Sequence, residues 1–194
     1  MAINDEALDV IFRTARTHRA WQDKPVSPAL LMAIYDLLRW GPTALNANPL
    51  RIIFVTSKEA KERLKPHLSS GNVDKTMAAP ATAILGHDAG FPQTLGKLNP
   101  HNPKMGESFT NIVENELTAF RNGSLQAAYF IIAARALGLD CGPMSGFNNE
   151  GVDKEFFAGT SVKSNFLCNI GYGDAAKLHT RAPRLSFDEA CKIV

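Results

Sequence analysis

The stretch Ala119–Phe147, AFRNGSLQAAYFIIAARALGLDCGPMSGF, decides the fold. From Leu125 to Leu137 nearly every position is apolar: Leu125, Ala127, Ala128, Tyr129, Phe130, Ile131, Ile132, Ala133, Ala134, Ala136 and Leu137. A surface helix carries an apolar stripe, whereas a helix apolar on all sides has to be buried. Interrupted by Arg121, Asn122 and Arg135, the run is also too short to span a bilayer. Gly138 supplies the left-handed residue that ends a helix, and Leu139 the apolar residue that packs back on the last turn. The following CGPMSGF, Cys141–Phe147, holds one proline and two glycines and cannot continue the helix. The pattern predicts a buried helix that delivers a short loop, 142–147, whose backbone can approach a flat ligand.

Working outward, composition narrows the classes. The 194 residues suffice for one well-buried domain, 1–194, and are 45% hydrophobic and 21% charged, as in an ordinary globular chain. A net charge of +2 without a basic run gives no case for nucleic acid or a membrane surface. MAINDEALDVIF at the amino terminus lacks the basic start and long apolar core of a secretory signal. Cys141, Cys168 and Cys191 are odd in number and include no C-x-x-C pair, which argues against disulfides and zinc and fits a reducing, cytoplasmic setting. No G-x-S-x-G motif and no metal-ligand cluster is present.

Toward the amino terminus, Ala7, Leu8, Ile11, Phe12 and Ala15 have helical spacing over Asp5–Arg16. The helix runs into ARTHRAW, residues 15–21. Basic residues commonly sit at helix C-termini, but two arginines beside a hydroxyl are also suited to clamp a phosphate. Ser27 and Pro28 open a second helix with Leu30, Leu31, Ile34, Leu37 and Leu38 as its buried face. The loop Trp40–Pro49 is rich in turn formers and precedes the strand Arg51–Thr56, a place where ligands tend to sit. A helix over Lys58–Leu68, a solvated loop at 69–75 and a strand over Ala81–Leu85 follow. Residues 87–107 read as a lid or substrate-side loop, with His87 and His101 as ordinary loop histidines. Gly90–Lys97 fails as a phosphate loop because five residues separate its glycines. After the strand Ser164–Ile170, GYGDAA satisfies G-x-G-x-x-A, yet no helix and second strand follow, so no dinucleotide unit is expected.

Taken together, these stretches resemble the nitroreductase family of FMN enzymes, and within it the malonic semialdehyde reductase branch. The resemblance implies an α+β, three-layer fold: a central, mostly antiparallel sheet flanked by helices, in an intertwined homodimer. It places Arg16, Thr17 and Arg19 on the FMN phosphate, with Trp21 as the aromatic of that motif and Ala15 where a further basic residue would stand. Pro42, Thr43, Asn46 and Pro49 match the family's flavin loop, Asn48 replacing its usual Gln. Asn72 and Lys75 fall at the flavin's pyrimidine edge. Pro143, Met144, Ser145 and Gly146 face the ring, with the Gly146 N–H toward N5 and Ser145 where nitroreductases often carry Glu. In the tail Arg184 matches a late phosphate contact, and Arg181 can substitute for a second one at Ala182. The implied chemistry is hydride transfer from NADPH or NADH through flavin N5 to 3-oxopropanoate, which with a proton from water or a side chain of the 87–107 segment gives 3-hydroxypropanoate. Arg51 or Arg121 would meet the substrate carboxylate, and no catalytic side chain is assigned. Alternatives are a broad nitro-, quinone- or enone reductase, or a flavin-binding protein without turnover.

Overall fold

Alternating and continuous apolar runs set up a sheet with one central strand buried almost throughout and the other buried over its second half. A computed structural model describes residues 2–194. Strands β1 (Leu50–Val55), β2 (Ala81–Asp88), β3 (Asp140–Met144) and β4 (Val162–Gly171) form one sheet in the order β1-β2-β4-β3, antiparallel at every pairing. In the β2–β4 ladder Leu85 pairs with Phe166 and Gly86 with Ser164, which leaves Asn165 as an extra, unpaired residue. Such a bulge bends the strand and re-aims a side chain. The expected loop 142–147 is corrected: Gly142, Pro143 and Met144 belong to the edge strand β3, and only Ser145 and Gly146 turn away before Phe147 bridges to Leu68. Proline is tolerated there because an edge strand leaves one row of N–H groups without a ladder partner.

Helices α1 (Asp5–Leu8), α2 (Pro28–Leu38), α3 (Lys58–Leu64), α4 (Ser70–Ala78), α5 (Pro92–Leu98), α6 (Ile112–Ala136), α7 (Asn149–Phe156) and α8 (Phe187–Ala190) complete the chain. The deciding helix is α6. It starts at Ile112, earlier than its apolar run, because the Asn111 side chain accepts the Val113 and Glu114 N–H groups and caps it. It ends as expected: Gly138 has φ of 78°, Gly138 N–H bonds Arg135 O at 2.9 Å, and Leu139 N–H bonds Ala134 O at 2.9 Å. That pair of bonds is a Schellman cap. Ala127, Phe130 and Ala134 pack with Ile34, Leu38, Leu139 and Ile170 in the main core. Burial on all sides is not achieved within one chain, for Leu117, Phe120, Leu125 and Tyr129 are between 39% and 53% exposed.

Other boundaries shift for local reasons. The amino-terminal helix passes into a π-turn, Asp9–Arg13, and stops there, with Thr14 N–H and Oγ1 both bonded to Asp9 O at 2.9 and 2.8 Å. Residues 69–75 are not a loop but lead into and form the first turns of α4. The 87–107 segment holds the end of β2, α5 and a 3₁₀ turn at Met105–Ser108, so it is packed structure rather than an open lid. In α2 the buried stripe is Leu31, Ile34 and Leu38, while Leu37 lies off it and is exposed. Ser27 Oγ accepts Leu30 N–H at 3.3 Å. Ser27→Ala is expected to cost about 1 kcal/mol, readable as a lowered denaturant midpoint at unchanged slope. Residues 179–194 are exposed throughout. Among the described residues no helix is long and apolar enough to cross a membrane.

Candidate active site

The site begins where the chain after the π-turn lies down along β3. Thr17 forms a parallel bridge with Cys141, and His18 N–H donates to Cys141 O at 3.0 Å. Gly142 makes this approach possible, since a Cβ on it would sit 2.4 Å from His18 O. His18 is buried there, while Thr17 and Arg19 on either side of it are exposed. The tail then folds across: Arg16 donates through Nη2 to His179 O, and Arg181 Nη2 donates to Ala15 O at 3.0 Å.

The result is a cleft of about 520 Å³ walled by Arg16, Arg19, Arg135, Lys177, Arg181 and Arg184, together with Thr17. Six cations line it and no carboxylate does. A concave surface of one sign focuses its field on a counter-charge, and guanidinium forks match phosphate oxygens. The four residues expected on a phosphate, Arg16, Thr17, Arg19 and Arg184, are therefore brought together. Arg181 lies beside position 15, where the motif lacks its first basic residue. Arg135 and Lys177 were not legible as members. Arg135 sits on α6, its Nη1 bonded to Ile11 O at 3.1 Å and its Nε buried without a partner.

Past Arg19 the wall continues to Lys75 on α4, whose carbonyl accepts Trp21 Nε1–H at 3.1 Å and Asn169 Nδ2–H at 3.3 Å. Burial, and secondarily the Arg19 charge, push the Lys75 ammonium below the usual lysine range. Asn72 is buried one turn earlier and donates to Gly146 O at 2.6 Å, which pins the Ser145–Gly146 backbone. Pro143, Met144 and Ser145 line a shallow recess of about 420 Å³ with Ile131, Phe166 and Asn165. Asn165 reaches it because of the bulge, and its Nδ2 donates to Ser124 Oγ on α6 at 2.8 Å. Nothing in the sequence marks a bulge at that residue.

Pro42, Thr43 and Asn46 line neither recess. Their loop is tied to α6 and to the end of α5, with Ala44 N–H on Asn122 Oδ1 at 2.7 Å, Thr43 Oγ1 accepting Asn48 N–H at 3.2 Å, and Asn46 Nδ2 donating to Leu98 O at 3.1 Å. Arg51 is not free to meet a substrate: it pairs with Asp88 at 2.8 Å and donates to Asn48 O and Leu50 O. Arg121 is exposed on α6 and has no acidic partner among the described residues. His87 is no loop histidine. It ends β2, buried, with Nε2 2.8 Å from Glu116 Oε1, and Glu116 also meets Lys163 at 3.2 Å. Burial raises the Glu116 carboxyl, but the His87 and Lys163 contacts outweigh it and hold it below the usual carboxylate range. No cluster of metal-ligating side chains occurs among the described residues.

Residues 12–172 match the model of the nitroreductase family. The chain is 59% identical over 192 residues, 99% of its own length and 98% of the relative's, to a Stenotrophomonas maltophilia (strain K279a) protein provisionally named NADH dehydrogenase/NAD(P)H nitroreductase. Its fold is similar to that of a provisionally named nitroreductase from Exiguobacterium sibiricum, solved in complex with FMN: TM-score 0.86 at 16% identity, covering 100% of this chain and 99% of that one. It is also similar to CLA-ER, an enone reductase of gut-bacterial fatty acid saturation, with TM-score 0.86 at 15% identity over 100% of both chains.

Proposed function

This chain belongs to the nitroreductase family, and from that premise we propose that it is an FMN-dependent NAD(P)H oxidoreductase that reduces a short carboxylated aldehyde, malonic semialdehyde, to 3-hydroxypropanoate. The observation that carries the cofactor is the cleft itself, six cations and no carboxylate, adjoining Lys75 and the Gly146 backbone. These residues fit FMN. Arg16, Thr17, Arg19, Arg181 and Arg184 would hold the phosphate, and Lys75 and Asn72 would stand by the pyrimidine edge. Bound FMN supplies hydride-accepting and hydride-donating chemistry at N5. The chain supplies fixed charge: a positive group beside a developing flavin anion stabilises it without reorganisation. Lys75 is the cation so placed, its ammonium held below the usual lysine range by burial and then by the Arg19 charge. Asn72 holds the backbone so that the Gly146 N–H keeps a single aim.

The expected ring contacts Pro42, Thr43 and Asn46 do not line the cleft of their own chain, which supports a homodimer in which the second copy brings that loop to the ring. The exposed apolar face of α6, a groove of about 660 Å³ between α2 and the edge strand β1, and the exposed tail are the surfaces such a dimer would cover. We place the enzyme in the cytoplasm, with NADPH or NADH as co-substrate. The small, neutral Ser145 supports a small polar substrate over a bulky nitroaromatic. With Arg51 committed to Asp88, Arg121 is the remaining cation proposed for the substrate carboxylate.

FMN at a hundred times its Kd should stabilise the protein by about 2.7 kcal/mol, seen as a rise of several degrees in melting temperature. The decisive measurement is NADPH and NADH oxidation by the FMN-loaded protein with 3-oxopropanoate, menadione and a nitroaromatic in parallel. Turnover on the quinone and nitroaromatic alone would sink the semialdehyde reading in favour of a broad reductase. No oxidation with any acceptor would leave a flavin-binding protein.

A further inference from the structure

Three segments far apart in sequence meet at one buried side chain the chemistry above does not use, His18. Its ring is 6% exposed. Nε2 lies 3.4 Å from Asp140 Oδ1, and the other oxygen of Asp140 accepts the Gly173 N–H at 2.8 Å. The ring lies 6.3 Å from that of Trp21, centroid to centroid. A Cβ on Gly173 would fall 2.0 Å from His18 Nδ1 and 2.3 Å from two further ring atoms, so residue 173 has to be glycine for the imidazole to be where it is. Gly171 is likewise excluded from having a side chain, by Pro80 at 2.6 Å. The G-x-G of GYGDAA is thus explained without a nucleotide: its second glycine is the socket of His18.

Nε2 faces the Asp140 carboxylate, an acceptor that leaves the other ring nitrogen to find its own partner. Nδ1 is left buried without a partner. A polar atom kept unsatisfied in an interior is costly, and the contacts around it hold the ring in one orientation. What that orientation fixes is the strip 16–19. Locking His18 inward leaves its neighbours Thr17 and Arg19 exposed at the basic cleft, with Arg16 beside them. Through Trp21 the same anchor reaches the Lys75 carbonyl at 3.1 Å.

We propose that His18, seated against Asp140 and Gly173, is the positioning residue of the anion clamp: it touches no ligand, yet sets the phosphate affinity of Arg16, Thr17 and Arg19. This rests on the FMN reading above. Outer partners that orient a binding group typically cost 10- to 100-fold in affinity when removed from metal sites, and a loss of similar size, roughly 10-fold or more, is expected here.

The test is a pair of dissociation constants, FMN against riboflavin, which lacks the phosphate, measured by flavin fluorescence quenching on the full-length protein. In His18→Ala the FMN constant should rise roughly tenfold or more while the riboflavin constant stays nearly fixed. His18→Gln, whose amide can still donate toward Asp140, should recover most of the FMN preference. Asp140→Asn should fall between the two, and it serves as the reporter if His18→Ala does not fold. Equal weakening of FMN and riboflavin in His18→Ala and Asp140→Asn would reduce His18 to a general structural residue and overturn the proposal. So would an unchanged FMN preference in both. A wild-type protein that binds FMN no better than riboflavin removes the clamp altogether, and that result strikes the cofactor site of the proposed function rather than His18 alone.

Discussion

Arg19→Ala is expected to weaken FMN binding by roughly tenfold to a hundredfold, the range for losing one hydrogen bond to a charged group. The unloaded protein should be no less stable for the change. Arg19 is exposed, makes no ion pair among the described residues, and adds its charge to a wall that already holds five other cations. Its field is one of the two causes that hold the Lys75 ammonium down, after burial. Removing it therefore relieves a repulsion in the empty site and removes an attraction in the filled one. Titrating FMN into both proteins, beside melting curves without ligand, separates the two effects. The affinity gap should narrow as salt is added, because charges at an exposed cleft are screened within about 8–10 Å at physiological ionic strength. An Arg19→Ala protein that binds FMN as tightly as the parent would mean that Arg16, Arg181 and Arg184 hold the phosphate without it. If its unliganded form melts much lower, the residue is structural and the opposition between binding and stability is wrong.

How far the site could be read from sequence depended on what kind of signal each residue leaves. Arg16, Thr17 and Arg19 fall within four consecutive residues, so a local pattern exposes them, and Arg184 was matched by its place in the tail. Gly138 and Leu139 announced the end of α6 because a left-handed glycine and a returning leucine are local chemistry. Arg135, by contrast, enters the cleft only because α6 packs where it does, and a single arginine in an apolar helix has no local signature. Asn165 and Ser124 meet through a bulge that is a property of two strands rather than one. The loop expected after Cys141 was read from proline and glycine, which break helices but are tolerated on an edge strand, and edge position is a topological fact. His87 looked like a loop residue because β2 runs to Asp88, beyond the apolar run that marked it.

In the homodimer proposed above, Leu125→Asp should separate the subunits and cost the protein its cofactor together. Leu125 is 48% exposed in the single chain and sits on the apolar face of α6 with Leu117, Phe120 and Tyr129. On a lone subunit the change would be mild, since aspartate at an exposed helical position costs only about 0.7 kcal/mol in propensity relative to the best residues. If that face is instead covered by a second copy, the substitution buries a carboxylate whose nearest cation on the helix is Arg121, one turn away, a penalty of about 3 kcal/mol per site where that pair does not form. The dimer dissociation constant should then rise roughly a hundredfold or more. Because Pro42, Thr43 and Asn46 do not line the cleft of their own chain, a separated subunit would keep its phosphate clamp but lose the wall proposed to come from the second copy. FMN affinity and NAD(P)H oxidation should fall with dimer content, whereas the melting temperature of the unliganded monomer should stay near that of the parent chain diluted below its own dissociation constant. Sedimentation velocity run alongside FMN titration reads both quantities. A Leu125→Asp protein that remains dimeric would move the interface off α6, to the groove between α2 and β1 or to the tail. A monomer that still binds FMN as the dimer does would show that the 42–49 loop is not part of the ring pocket, and the cofactor site would then be complete within one chain.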